Sequence, residues 1–170
     1  MKYVLVAVLI LFAAAPVQAA TGVEALGKLE GTWQSSATAS ATPYSKAGST
    51  TGDTTCAWSS SRDFLICQQA VTSDGQLAHD VAVYTYDGAG AKYHFYAARI
   101  NGVSDVGITV DDSGITYSTT FADGTKNVTV RTLNVWDDPD HYRFWTEYTT
   151  DGTHWTKMLT GSAHRAKAQP

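Results

Sequence analysis

Five histidines, His79, His94, His141, His154 and His164, are the side chains of this sequence best suited to move protons or hold a metal near neutral pH. They form no recognisable ligand cluster. His94 falls on the reverse of a face carrying Tyr93 and Phe95, and His154 on the reverse of Trp155, so both are expected in water. His79 shares a face with Val81 and Val83 and is the one placed to point into an interior. Paired carboxylates for glycoside chemistry must face one cleft, but Glu147, the only acid well inside an aromatic segment, is turned outward by its register. Most aspartates sit in turns, where they bond to their own backbone. Neither a nucleophile elbow nor a phosphate-cradling glycine pattern is present. Lys157 shares a face with Trp155 and Leu159, either as a counter-ion for an acidic ligand or with its ammonium carried out to the rim. No catalytic residue, metal or cofactor is assigned, and the sequence points to binding rather than catalysis.

The two cysteines, Cys56 and Cys67, flank a segment whose centre, Ser60-Ser61-Arg62-Asp63, is turn-like. A hairpin with that four-residue loop sets them opposite each other, so a cross-strand disulfide is expected. A redox-active pair would normally stand two residues apart at a helix start.

These residues need a scaffold, and the turn signals describe one. After a short helix that starts with a Thr21/Glu24 capping box and carries Val23, Leu26 and Leu29, the chain reads as strands separated by Ser73-Asp74-Gly75, Asp87-Gly88, Asn101-Gly102, Asp111–Gly114, Asp123-Gly124, Asp137–Asp140 and Asp151-Gly152. A hairpin centred on Asn101-Gly102 sets Phe95 against Ile108, and the next two turns set Ile108 against Tyr117 and Tyr117 against Val130. Asp151-Gly152 sets Tyr148 against Trp155 and Phe144 against Leu159. Between Val130 and Leu133 the parity slips, which predicts a β-bulge near Arg131 or Thr132. One face of this antiparallel meander is polar; the other carries Tyr93, Phe95, Tyr117, Phe121, Tyr142, Phe144, Tyr148 and Trp155. Closing the sheet into a barrel of eight to ten strands hides the aromatic face and removes the edges. Those eight aromatics, with His79 and Lys157, are then candidates to line a pocket.

Composition narrows the partners. Only 16% of residues are charged, and 12 Lys and Arg are scattered among 16 Asp and Glu, so no basic footprint for nucleic acid exists. The first residues, Lys2, an apolar run from Val4 to Ala15 and Val17-Gln18-Ala19, read as an export signal over 1–19, leaving 20–170 as one domain outside the cytosol, periplasmic or secreted. That apolar run is too short to span a bilayer, which needs about 20 residues.

At Leu29-Glu30-Gly31-Thr32-Trp33, after the short helix, the sequence resembles the lipocalin-like, or calycin, barrels. Tyr84-Thr85-Tyr86-Asp87-Gly88 with Lys92-Tyr93, the stretch Asp151–Lys157, and Arg165 resemble an uncharacterised lipocalin-like family of bacterial secreted proteins. The resemblance implies that Trp33 closes one end of the barrel, that Arg165 covers it, and that a ligand mouth lies at the other end. In haem-binding barrels of the nitrobindin type a histidine near the C-terminus ligates iron. His164 is the residue at that place; the rest of that pattern is not evident here, so a haem-binding barrel ranks below the other readings and no cofactor is assigned.

The leading reading is therefore a secreted or periplasmic barrel for a small, mostly apolar molecule. A second is an envelope interaction or inhibitor module anchored on an exposed patch of Tyr84, Tyr86, Tyr96 and Trp145. An enzyme ranks third, because it needs acids or histidines converging inside.

Overall fold

The computed structural model describes residues 22–167. The sequence expectations for the export signal at 1–19 and for the cap at Thr21 lie outside the described residues. A 3₁₀ helix, Gly22–Leu29, precedes ten strands: Gly31–Ala39 (β1), Gly48–Trp58 (β2), Phe64–Ser73 (β3), Gln76–Asp87 (β4), Lys92–Arg99 (β5), Gly102–Val110 (β6), Gly114–Asp123 (β7), Lys126–Asp138 (β8), His141–Thr149 (β9) and Thr156–Arg165 (β10). Each pairs antiparallel with its neighbours in sequence, and β1 pairs with β10, so the sheet is a closed barrel. Closure gives every strand a neighbour on both sides, although β6 and β7 pair only through Ile108–Val110 and Ile115–Tyr117.

The turns reverse the chain where the sequence says, but register is set by the whole ladder. Tyr93 faces Ile108 and Phe95 faces Val106, two residues away from the pairing read off Asn101-Gly102. Tyr117 likewise faces Thr132 rather than Val130. Both differences are even numbers of residues, so each aromatic stays on the expected face. The pairing of Ile108 with Tyr117 is as expected.

Odd shifts matter more. The β7–β8 ladder runs without interruption from Asp123–Lys126 to Gly114–Val135, so the bulge expected near Arg131 is absent. Thr132 and Asn134 face the interior with Val130, whereas Leu133 faces out. The irregularities fall instead between Trp136 and Asp138, and between Lys157 and Leu159. The second one corrects the reading of β10. Asp151 Oδ1 accepts bonds from Thr149 Oγ1 and from the backbone N–H of Thr153 and His154, which widens the last turn. Tyr148 then pairs with Thr156, and Leu159 with Thr146. As a result Trp155 and Lys157 leave the inner face, while Leu159 keeps it.

The helix packs across one end of the barrel because Ala25, Leu26 and Leu29 are apolar and buried on its inner side. Tyr93 donates its hydroxyl to the Gly22 carbonyl (2.9 Å) and Lys28 Nζ donates to the Asp112 carbonyl (2.8 Å), tying the helix to β5 and to the β6–β7 turn. Gly31 must turn the chain from helix into β1 with φ +107°, and a Cβ there would collide with the Arg165 guanidinium. Glycine answers both demands.

Cys56 and Cys67 form a disulfide directly across β2 and β3. They stand either side of the Ser60–Asp63 loop, and both face the interior next to the helix.

Candidate functional site

The barrel is hollow. Its lumen is a cavity of about 490 Å³, closed below by the helix and open between the hairpins at the other end.

The floor is aromatic and held by hydrogen bonds. Trp33, 2% exposed, donates its indole N–H to the Leu29 carbonyl (2.9 Å). The Arg165 guanidinium lies 4.3 Å above that ring, and Arg165 sits beside Trp33 in the ladder. Its guanidinium donates four hydrogen bonds, to the Asp140 carboxylate and to the carbonyls of Glu30, Lys28 and Pro139. Tyr142 packs edge-on against Trp33 at 5.1 Å.

The walls mix aromatic rings with hydroxyls. Phe95 contacts Tyr84 at 5.0 Å and Tyr117 at 5.1 Å. The Tyr84 and Tyr117 hydroxyls share one hydrogen bond of 2.9 Å inside the lumen. Thr132 and Thr146 form a second hydroxyl pair at 2.8 Å, and the Asn134 amide lines the same wall. Desolvation dominates the titration of the phenols: it pushes Tyr84 and Tyr117 up beyond the ordinary tyrosine range, and Tyr142 up to about 12. All three remain neutral hydrogen-bonding groups at physiological pH. Phe144 reaches the lumen because Gly161 lies beneath it; a Cβ at Gly161 would strike both that ring and the Ser36 carbonyl.

At the mouth the lumen becomes charged. Arg99 Nε stands 3.3 Å from Asp80 Oδ2, and both residues line the cavity. Across the opening, Tyr44 from the β1–β2 connection packs on Tyr148 (4.8 Å) and Phe121 (5.8 Å) and donates its hydroxyl to Asp123 (2.8 Å).

Of the sequence candidates, Phe95, Tyr117, Tyr142 and Phe144 meet around the cavity. Tyr93 lies on the same face but is taken up with the helix, packing on Tyr86 at 4.7 Å. Phe121 and Tyr148 belong to the Tyr44 cluster at the rim. Three candidates lie elsewhere. His79 is exposed, because the face it shares with Val81 and Val83 is the outer one; Asp80, Ala82 and Tyr84 are the β4 residues that line the lumen. Trp155 folds over the outer surface, its ring 3.7 Å from the Arg131 guanidinium. Lys157 stands opposite Glu147 and reaches the outer ring of Trp145 at 5.3 Å.

Glu147 faces outward as expected, yet it is only 6% exposed, since Arg131 bonds it at 2.6 Å beneath Trp155. His164 is exposed between Gln34 and His141 on the outer ladder, away from the lumen. Among the described residues no group of three or more His, Cys, Asp or Glu could hold a metal ion.

Tyr84 is the lumen residue that sequence reasoning misplaced. The proposed surface patch does not form: Tyr84 is 7% exposed inside and Tyr86 packs on Tyr93, while Tyr96 stacks on His94 outside. The pairing of Tyr84 with Phe95 across the Asp87-Gly88 turn was the signal that could have found it. The Asp80–Arg99 pair and the lumen threonines carried no such signal.

A family model described as "Protein of unknown function (DUF1579)" matches residues 21–165. No curated protein matches the chain in sequence. Among solved structures, Rv2717c from M. tuberculosis is similar at a TM-score of 0.58 and 15% identity, over 88% of this chain and 100% of that one. The S-type phycobiliprotein lyase CPES from Guillardia theta is similar at a TM-score of 0.58 and 14% identity, over 88% and 95% of the two chains. At these identities the likeness is one of fold.

Proposed function

The chain belongs to the DUF1579 family of proteins of unknown function, and from the hollow interior of its barrel we propose that it is a lipocalin-like binding barrel for a small, mostly apolar molecule. The observation that carries this reading is the lumen itself. A barrel of ten strands has room that its own side chains do not fill, and here about 490 Å³ remains above an aromatic floor. Small-molecule sites have this form: concave, mainly apolar, with a few placed polar groups. Trp33 and Arg165 hold the closed end and leave the opposite end for entry.

The same reading makes residues 1–19 an export signal and 20–170 one domain working in the periplasm or outside the cell. A disulfide at Cys56–Cys67 supports an oxidising compartment.

Native mass spectrometry of protein purified from its own envelope tests the proposal, together with thermal shifts induced by the neutral apolar dye N-phenyl-1-naphthylamine. The expected results are a retained small molecule, or a dye-dependent rise in Tm that Ala82→Phe, which fills the lumen, abolishes. No retained molecule and no rise in Tm overturns it.

A further inference from the structure

The lumen offers more donors than its own groups use. Tyr84 and Tyr117 have two hydroxyl protons between them and spend one on their mutual bond of 2.9 Å. Thr132 and Thr146 do the same at 2.8 Å on the adjoining wall. Whichever member donates, one proton of each pair is left for the cavity, and Asn134 adds an amide. A donor enclosed in an apolar site and left unpaired costs free energy that an acceptor on a ligand would recover.

The charge pattern decides which acceptor. Among the described residues, Asp80 and Arg99 are the only ionic side chains that line the cavity, and they are joined to each other at the mouth. Nothing deeper can neutralise a carboxylate, and an uncompensated anion there would be expensive. The acceptor must be uncharged.

We propose that the Tyr84–Tyr117 hydroxyl pair is a recognition site for the neutral carbonyl oxygen of a ketone, ester or amide, and that the preferred ligand is an uncharged carbonyl compound whose apolar body lies against Phe95 and Phe144. This rests on the lumen-binding reading and assigns it a ligand class. Because either phenol can supply the free proton, one tyrosine suffices and the pair is redundant.

Binding of three matched probes, 2-acetylnaphthalene, 2-ethylnaphthalene and 2-naphthoate, tests it by isothermal titration of wild type and of Tyr84→Phe, Tyr117→Phe and the double variant. The ketone should bind wild type more tightly than naphthoate. The double variant should weaken the ketone roughly fivefold to tenfold, each single variant should weaken it less, and ethylnaphthalene should be unaffected. Equal effects of the double variant on ketone and hydrocarbon, or tightest binding of naphthoate, overturn this assignment while leaving lumen binding intact. Failure of all three probes to bind overturns both. Should the double variant not fold, difference infrared spectroscopy of the ketone bound to wild type decides: a carbonyl stretch below its value in alkane solvent supports the hydrogen bond, and an unshifted one refutes it.

Discussion

The Arg165 guanidinium lies 4.3 Å over the Trp33 ring while its own donors bond Asp140 and three backbone carbonyls. One side chain therefore joins β1, β10, the β8–β9 turn and the end of the helix. Arg165→Ala removes the cation from the indole face, at about 0.5 to 2 kcal/mol, and strands several acceptors, at about 1 kcal/mol or more. The expected loss is about 2 to 3 kcal/mol in urea denaturation. Arg165→Lys should recover only a fraction, because an ammonium lacks the planar fork. A loss below about 0.5 kcal/mol for Arg165→Ala would contradict the closure role.

Arg131 and Glu147 are a second load point, on the outer surface beneath Trp155. Glu147 is nearly fully buried, whereas about a third of the Arg131 side chain is exposed. Arg131→Met leaves the carboxylate without its partner and should cost about 2 to 4 kcal/mol, at the lower end if water reaches the vacated side. Arg131→Met with Glu147→Leu should return most of that stability. A double variant as weak as the single one would show that the ring of Trp155, not the charge, organises this patch.

The disulfide closes a short loop, with Cys56 and Cys67 separated by 11 positions. On the chain-entropy estimate the bridge stabilises by about 3 kcal/mol, so adding dithiothreitol during chemical denaturation should lower the midpoint without changing the fold. Cys56→Ala with Cys67→Ala should give the same midpoint in both redox conditions. Its circular dichroism should match that of the oxidised protein, since the barrel ladder runs on past this pair.

Alkaline pH should loosen the protein from the inside. Burial raises the Tyr142 phenol to about 12, above its value of about 10 in an unfolded chain. The folded state then holds its proton more tightly, so the associated stability is fully present below about pH 10 and is lost as pH rises toward 12. Tyr84 and Tyr117 act with the same sign. Tm should fall across this window, with phenolate absorbance from the lumen tyrosines developing only as the barrel opens. Tyr142→Phe should flatten part of the fall; an unchanged slope would mean that Tyr142 is solvated in the folded state.

Much of this architecture was legible in one dimension. Strand number, the aromatic inner face and the opposition of Cys56 and Cys67 follow from turn residues and from the period of two, which are local properties of the chain. An error of two residues at Asn101-Gly102 or Asp123-Gly124 did no harm, because even shifts preserve the face.

Odd shifts were invisible, and the site depends on them. The bonds gathered by Asp151 lengthen one turn, the ladder breaks between Lys157 and Leu159, and Trp155 and Lys157 exchange the lumen for the outer surface. The places of His79 and Tyr84 did not depend on such a shift: the Asp87-Gly88 hairpin pairs Tyr84 with Phe95 and so turns His79 to the opposite face. The sequence by itself determined that these strands must hide an aromatic face, since alternation and turn chemistry are written residue by residue. Only the tertiary structure decided which hydroxyls share that interior, because pairs such as Tyr84 and Tyr117, 33 positions apart, meet across the space that closure creates.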